Sequence, residues 1–229
     1  MRGDVLTQQD TITICKQSEQ VEYTQECTDI PQFMKRLCDR GLTTCLGGNI
    51  SCKVGERIFI TPSNIDKYCL SPRDIVELDC DGKKIAGSFN PSMEYRMHIE
   101  IYKRRKDVFA VIHSHTFFAT LLSIVDKEIN IKLTAESAKN VGVVGVANYA
   151  TMGSVELATT VSSVAVNHNV VLMKNHGILT VGKDILDAFY RLEVAELTAK
   201  LTYLSQGLAP KEISQSDLEN VCNIANANN

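Results

Sequence analysis

Two histidines, His113 and His115, close the run Val108-Phe109-Ala110-Val111-Ile112, and this junction limits what the chain can fold into more than any other stretch. The run is short, apolar and β-branched, and it follows the basic segment Lys103-Arg104-Arg105-Lys106. It reads as a buried strand entered from a basic helix end. Residues i and i+2 of a strand share one face, so the two imidazoles project together, roughly 6–7 Å apart at the backbone. That arrangement suits a single metal ion, to which zinc–nitrogen bonds run about 2.0–2.1 Å. The plain alternative is a structural pair, hydrogen-bonded at a strand mouth.

The 229 residues suffice for one substantial core, and their 44% apolar and 22% charged content is that of an ordinary globular protein. A net charge of −3 supplies no global basic field for nucleic acid, so any anion site must be local. The longest apolar runs fall well short of the roughly 20 residues that cross a bilayer. Met1-Arg2-Gly3-Asp4 leads into polar sequence, without a secretory apolar segment. A cytoplasmic location is therefore expected, with no membrane or nucleic-acid partner. The eight cysteines contain no Cys-x-x-Cys pair and are expected to be reduced, small buried side chains.

Residues 1–28 read as a polar N-terminal extension, 29–210 as the folded domain, and 211–229 as a frayed tail. Asp29 is expected to cap a first helix, with Pro31 just inside its start and Gly41 as its stop. Gly47-Gly48-Asn49 then turns into a strand. Its glycines let the backbone approach a ligand and its free N–H groups can cradle an anion, although a simple hairpin turn also fits. The strand Arg57–Ile60 runs into Thr61-Pro62-Ser63-Asn64, rich in hydroxyl and amide donors. Short strands in this half, with the hairpin signal Asp81-Gly82, indicate an antiparallel sheet.

Pro91-Ser92 precedes a helix expected over Met93–Lys103, whose first turn carries Glu94. A carboxylate there stabilises the helix dipole, which is the plain reading of that residue. His98, one turn on, reads as packed and hydrogen-bonded rather than as a ligand. A third histidine, His176, sits in the tight turn Asn175-His176-Gly177 between the strands Val170–Lys174 and Ile178–Val181, and a long amphipathic helix follows over Ile185–Leu204. His113, His115 and His176 can supply the three protein ligands of a catalytic zinc, with Glu94 as a displaceable fourth ligand or a nearby base. Donors around Asn49, Ser63, Asn64 and Ser92 can hold a phosphate.

The motifs GGNIS (47–51), ITPSNID (60–66), PSMEYRMH (91–98), VIHSHTFFAT (111–120), YATMGSVELA (149–158) and LMKNHGILTVG (172–182) resemble, in order, those of the class II aldolase/adducin-head family, in particular its zinc-dependent L-fuculose-1-phosphate aldolases. The resemblance implies a three-layer α/β/α fold around a mostly antiparallel sheet, with residues 29–210 as the catalytic domain. It implies that His113, His115 and His176 bind Zn2+, and that Glu94 is both ligand and acid/base. It implies that Gly48, Asn49, Ser63, Asn64 and Ser92 hold the phosphate of a small sugar substrate, in homotetramers with sites between subunits. The implied activity is reversible cleavage of a ketose 1-phosphate to dihydroxyacetone phosphate and an aldehyde. Sister activities share the motifs: dehydration of methylthioribulose 1-phosphate, decarboxylation of sugar-acid phosphates and 4-epimerisation. Adducin heads, which serve as scaffolds, lack the metal ligands. The chain departs from the aldolase pattern at Met93, where a second serine is usual, at Asn64, where glycine is common, and in lacking a tyrosine near Leu133-Thr134-Ala135-Glu136.

Overall fold

The computed structural model describes residues 24–227, so most of the expected extension over 1–28, together with Cys15 and the side chain of Cys222, lies outside the described residues. Helix α1 spans Gln25–Asp39. Its N-cap is Thr24, whose hydroxyl accepts from the Cys27 N–H, so the expected cap at Asp29 is corrected and Pro31 lies inside the helix. The buried stripe Ile30, Met34, Leu37 extends back to Cys27 at helical spacing, so the extra turn hides apolar surface. Gly41 follows at φ +64°, the left-handed stop that glycine tolerates.

Eight strands follow: β1 (Asn49–Val54), β2 (Arg57–Ile60), β3 (Val76–Asp79), β4 (Lys84–Ala86), β5 (Ala110–Ser114), β6 (Gly145–Ala147), β7 (Val170–Met173) and β8 (Gly177–Gly182). They form one sheet in the order β4-β3-β2-β1-β5-β8-β7-β6. Every neighbouring pair is antiparallel except β6 with β7. The helices are α2 (Tyr95–Arg104), α3 (Phe117–Ile124), α4 (Ala135–Asn140), α5 (Val155–Ala165), α6 (Ile185–Leu204) and α7 (Gln215–Ala227).

Strand alternation sorts the core into two halves. Ile50, Ile112, Leu172 and Ile178 pack with Met34 of α1, Leu122 of α3 and Phe189 and Leu192 of α6. Val111, Val171, Leu179 and Val181 pack on the other face with Met97 and Ile101 of α2 and Leu157 and Val161 of α5. The result is the expected three-layer α/β/α arrangement.

Two further expectations are corrected. The tail over 211–229 is not frayed throughout: α7 forms, Leu218 is buried, and the Ile213 N–H reaches the Lys132 carbonyl at 2.9 Å. Of the described cysteines, all free, Cys27 and Cys52 are buried as expected, but Cys45 and Cys69 are exposed. Among the described residues no helix is long and apolar enough to cross a membrane.

Lys67 is a buried cation with its Nζ donating to the Pro62 carbonyl. Burial pushes its ammonium down from 10.5 to about 8. Between those pH values the unfolded chain binds more protons than the folded one, so stability rises with pH across the window. Relative to Lys67→Met, the wild-type chain is expected to gain up to about 3 kcal/mol from pH 8 to pH 10.5, read from denaturant midpoints. A pH-independent difference between the two proteins would refute the buried amine.

Candidate active site

The site forms where β1, β5 and β8 bring their ends together. Asn49, first residue of β1, lies opposite His113 near the end of β5, and His113 in turn lies opposite Leu179 of β8. The β7–β8 turn is tight, with Asn175 at φ +54° and the His176 N–H bonded to the Met173 carbonyl at 3.1 Å. It delivers His176 beside the other two histidines. Ring centroids are 4.8 Å apart for His113–His115 and for His113–His176, and 5.2 Å for His115–His176. Ligand-capable atoms of all three lie within 4.8 Å of one another.

His113 is fully buried, and its Nδ1 lies 3.0 Å from the Ile178 carbonyl. A carbonyl only accepts, so Nδ1 carries the proton and Nε2 presents a lone pair. That Nε2 is 3.0 Å from His115 Nε2 and 3.2 Å from Glu94 Oε2. The other carboxylate oxygen, Oε1, is 3.2 Å from His176 Nε2. Burial keeps the imidazoles neutral: His113 is pushed down to about 3, His176 to about 4, and His115 below its ordinary value.

Neutral rings beside a carboxylate bring several lone pairs to one place. Glu94 Oε1 and His176 Nε2 are both buried without a hydrogen-bond partner. Such orphaned polar atoms are costly to bury, and a cation between them would satisfy both. Three imidazoles with a carboxylate are also the donor set of a divalent metal. The residues therefore fit a metal ion.

Glu94 is positioned by departing from the expected helix. It occupies the N-cap position of α2, and its side chain makes no cap bond. The dipole-stabilising reading is thus corrected: the carboxylate turns to the histidines and accepts from Asn49 Nδ2 at 3.0 Å. Ser92 is buried, its Oγ accepts from the Glu94 N–H at 3.3 Å, and its own N–H bonds to the Thr61 carbonyl at 3.0 Å. A bridge between Pro62 and Pro91 joins the two loops, and the Ser63 N–H bonds to the Asn90 carbonyl at 3.0 Å.

The structure thus gathers Asn49, Ser92, Glu94 and the three histidines. Ser63 and Asn64 stand on the adjoining loop, without a hydrogen bond to that cluster. Asn64 is exposed at φ +56°, a conformation glycine adopts freely and asparagine tolerates. Gly48 backs the cluster: a Cβ there would lie 3.0 Å from the His113 carbonyl and 2.8 Å from Thr43 Oγ1.

Two supports escaped sequence reasoning. Glu196 of α6 accepts from the Phe118 and Ala119 N–H groups at 2.8 and 2.9 Å, capping α3 directly after His115. No local pattern links residue 196 to residue 118. Gly177 packs so closely on the ends of β5 that a side chain has no room, a requirement signalled only by its place after His176. His98 is hydrogen-bonded in the core, as expected, with Ser51 and Asn49 as partners.

Residues 28–203 match the family model for the class II aldolase and adducin N-terminal domain. The L-fuculose phosphate aldolase of Methanocaldococcus jannaschii is 38% identical over 180 residues, covering 77% of this chain and 97% of its own length. The 5-deoxy-D-ribulose 1-phosphate aldolase of Bacillus thuringiensis serovar kurstaki is 31% identical over 202 residues, covering 86% and 93% respectively. A solved L-fuculose 1-phosphate aldolase superposes with a TM-score of 0.82 at 31% identity, over 88% of this chain and 96% of that one. With its motifs, fold and three-histidine cluster in agreement, the chain belongs to the class II aldolase and adducin N-terminal domain family, as an enzyme of the metal-dependent aldolase, or lyase, kind.

Proposed function

We propose that the chain is a zinc-dependent aldolase that reversibly cleaves a ketose 1-phosphate of the L-fuculose type to dihydroxyacetone phosphate and an aldehyde. The observation that carries this reading is the cluster of buried His113 with half-buried His115 and His176, closed by both oxygens of Glu94. The three imidazoles would hold the ion, and Glu94 would be its displaceable fourth ligand. When bound, zinc supplies Lewis-acid stabilisation of the negative charge that develops on substrate oxygens as the carbon–carbon bond breaks.

The chain's own residues do the rest. Glu94, freed toward substrate, would take the proton that leaves the hydroxyl of the aldehyde half as the carbon–carbon bond breaks and pass it to the carbon of the dihydroxyacetone phosphate half, with the reverse transfer in synthesis. Asn49 and Ser92 hold that carboxylate and its backbone in place. Gly48, Asn49, Ser63, Asn64 and Ser92 form the phosphate cradle, supported by the stitching of the 61–64 and 90–92 loops.

Homotetramers with sites between subunits are part of this reading. Phe117, Tyr149, Met152 and Val155 are exposed apolar side chains of the kind that a second copy covers. The cytosol is the proposed compartment, since a reducing milieu preserves exposed thiols such as Cys45 and Cys69.

The test is metal analysis followed by a substrate panel with product identification by NMR. Purified protein should carry about one zinc per chain. Chelator-treated protein should lose aldol cleavage of L-fuculose 1-phosphate and regain it with zinc. Full activity after chelation would end the reading. Release of CO2 from a sugar-acid phosphate, loss of water from methylthioribulose 1-phosphate, or 4-epimerisation would assign a sister reaction at the same site. A chain with only trace metal and no turnover would be a scaffold.

A further inference from the structure

A chain of buried hydrogen bonds runs from the core to Glu94. Asn49 and Ser51 are alternate residues of β1, so they face the same side, toward His98 and Tyr102 on α2. Ser51 and His98 are fully buried, Tyr102 is 1% exposed and Asn49 3%. The Tyr102 hydroxyl lies 2.8 Å from Ser51 Oγ and 3.0 Å from the Ser51 carbonyl. Ser51 Oγ is 2.7 Å from His98 Nδ1, His98 Nε2 is 2.5 Å from Asn49 Oδ1, and Asn49 Nδ2 is 3.0 Å from Glu94 Oε2.

From Glu94 to Ser51, one direction of donation satisfies every member. Glu94 as a carboxylate can only accept, so the Asn49 amide must turn its NH2 toward it. The amide oxygen then faces His98 Nε2, which must carry a hydrogen. Burial holds the His98 ring neutral, so its Nδ1 is bare and accepts from the Ser51 hydroxyl. The single Tyr102 O–H donates to the Ser51 carbonyl, which can only accept, and lies against the lone pairs of Ser51 Oγ. Flipping the Asn49 amide would set its oxygen against the carboxylate oxygen, a repulsion in a buried site whichever tautomer His98 takes.

The chain ends on one carboxylate oxygen only. Oε2 is tied to Asn49, whereas Oε1 has no hydrogen-bond partner and faces His176. The network therefore fixes which oxygen is held and which is free.

We propose that His98, with Ser51 and Tyr102 behind it, is a positioning residue that locks the Asn49 amide NH2-first onto Glu94 and so aims the carboxylate at the histidine cluster. Its kinetic consequence rests on the role proposed for Glu94, but its effect on metal affinity does not depend on which reaction is catalysed.

The experiment is a double-mutant cycle on zinc affinity, measured by competition with a chromophoric chelator on the full chain. Ser51→Ala removes the donor to His98 with little loss of volume. It should weaken zinc binding about tenfold, in the range of outer-sphere substitutions at metal sites. In a Glu94→Gln background the same substitution should have almost no effect, because its route to the metal is gone. Under saturating zinc, Ser51→Ala should lower kcat about tenfold with KM within about twofold. Tyr102→Phe, which keeps the ring, should give a smaller effect of the same sign and serves if Ser51→Ala does not fold. An unchanged zinc affinity, an equal loss with and without Glu94, or a wild-type chain that takes up no zinc would each overturn the proposal. Persistence of the coupling in a chain that does not cleave ketose 1-phosphates would overturn only the assigned reaction.

Discussion

Glu94→Gln is expected to abolish most turnover while leaving the metal in place, and to stabilise the metal-free chain. The first effect follows from the proton. A positioned acid/base contributes about 10²–10⁴-fold to the rate, and a glutamine cannot carry a proton to carbon and back. The metal survives because His113, His115 and His176 remain. The second effect follows from the geometry. The Glu94 oxygens face His113 and His176 nitrogens at 3.2 Å, and Oε1 and His176 Nε2 are buried without hydrogen-bond partners. A glutamine keeps an oxygen toward Asn49 Nδ2 and offers its NH2 to His176 Nε2, which accepts in the tautomer with its proton on Nδ1, so both atoms gain a partner. Satisfying a buried acceptor is worth about 1–3 kcal/mol. In a chain of this length each kcal/mol moves the melting temperature by about 2–4 °C. The metal-free variant should therefore melt several degrees above the metal-free wild type, with kcat down at least a hundredfold on zinc loading. A variant that keeps wild-type kcat would remove Glu94 from the chemistry. A variant that melts below wild type without metal would show that the carboxylate is not held against bare imidazoles.

Each histidine of the cluster was legible because its immediate setting is local. The i, i+2 spacing at the end of β5, with His115 just beyond its last residue, marks His113 and His115 as a pair, and Asn-His-Gly between two apolar runs marks a tight turn. The bounds of α6 were equally visible, since Asp184 caps its start through the Asp187 N–H and the apolar pattern continues to Leu204. What local pattern could not reach was direction and long-range pairing. Local pattern alone reads Glu94 as a helix-start carboxylate; the family motif implied a place beside the histidines, and the folded chain shows how the side chain turns from the helix to reach them. The joining of the Pro62 and Pro91 loops depends on backbone pairing across about thirty residues, which no periodicity encodes. Helix α1 began a turn early because Cys27 extended the buried stripe. Helix α7 escaped because polar Asn and Ala sequence carries little amphipathic signal, although Leu218 anchors it. Nothing local singles out Ser51, and the role proposed for it rests on its contacts with His98 and Tyr102.

A single methyl group at Gly177 is expected to damage the metal site as badly as the loss of a supporting side chain. Gly177 does not have a positive φ, so space alone excludes a side chain. A Cβ there would lie 2.5 Å from the Ser114 carbonyl oxygen, 3.0 Å from His115 Cδ2 and 3.3 Å from His113 Cε1. The first of these is backbone in a paired strand, Ser114 lying opposite Ile178, so it cannot swing aside. Relief must come from parting β5 and β8 at the end where all three histidines are carried. Overpacking of this kind costs about 1–3 kcal/mol. Displacing ligands or their supports typically lowers metal affinity about 10–100-fold. Gly182→Ala supplies the control. It lies at the other end of β8, where a Cβ would meet the Ala188 nitrogen at 2.4 Å and the Asp184 carbonyl at 2.8 Å. Both variants should therefore lose comparable stability in denaturant titrations, but only Gly177→Ala should lose zinc affinity. Equal zinc affinities in the two variants would mean that the histidines are positioned by something other than the close approach of β5 and β8. A loss confined to Gly177→Ala would show that the spacing of two strand ends, set by the absence of one carbon atom, determines whether three imidazoles from distant parts of the chain can share one ion.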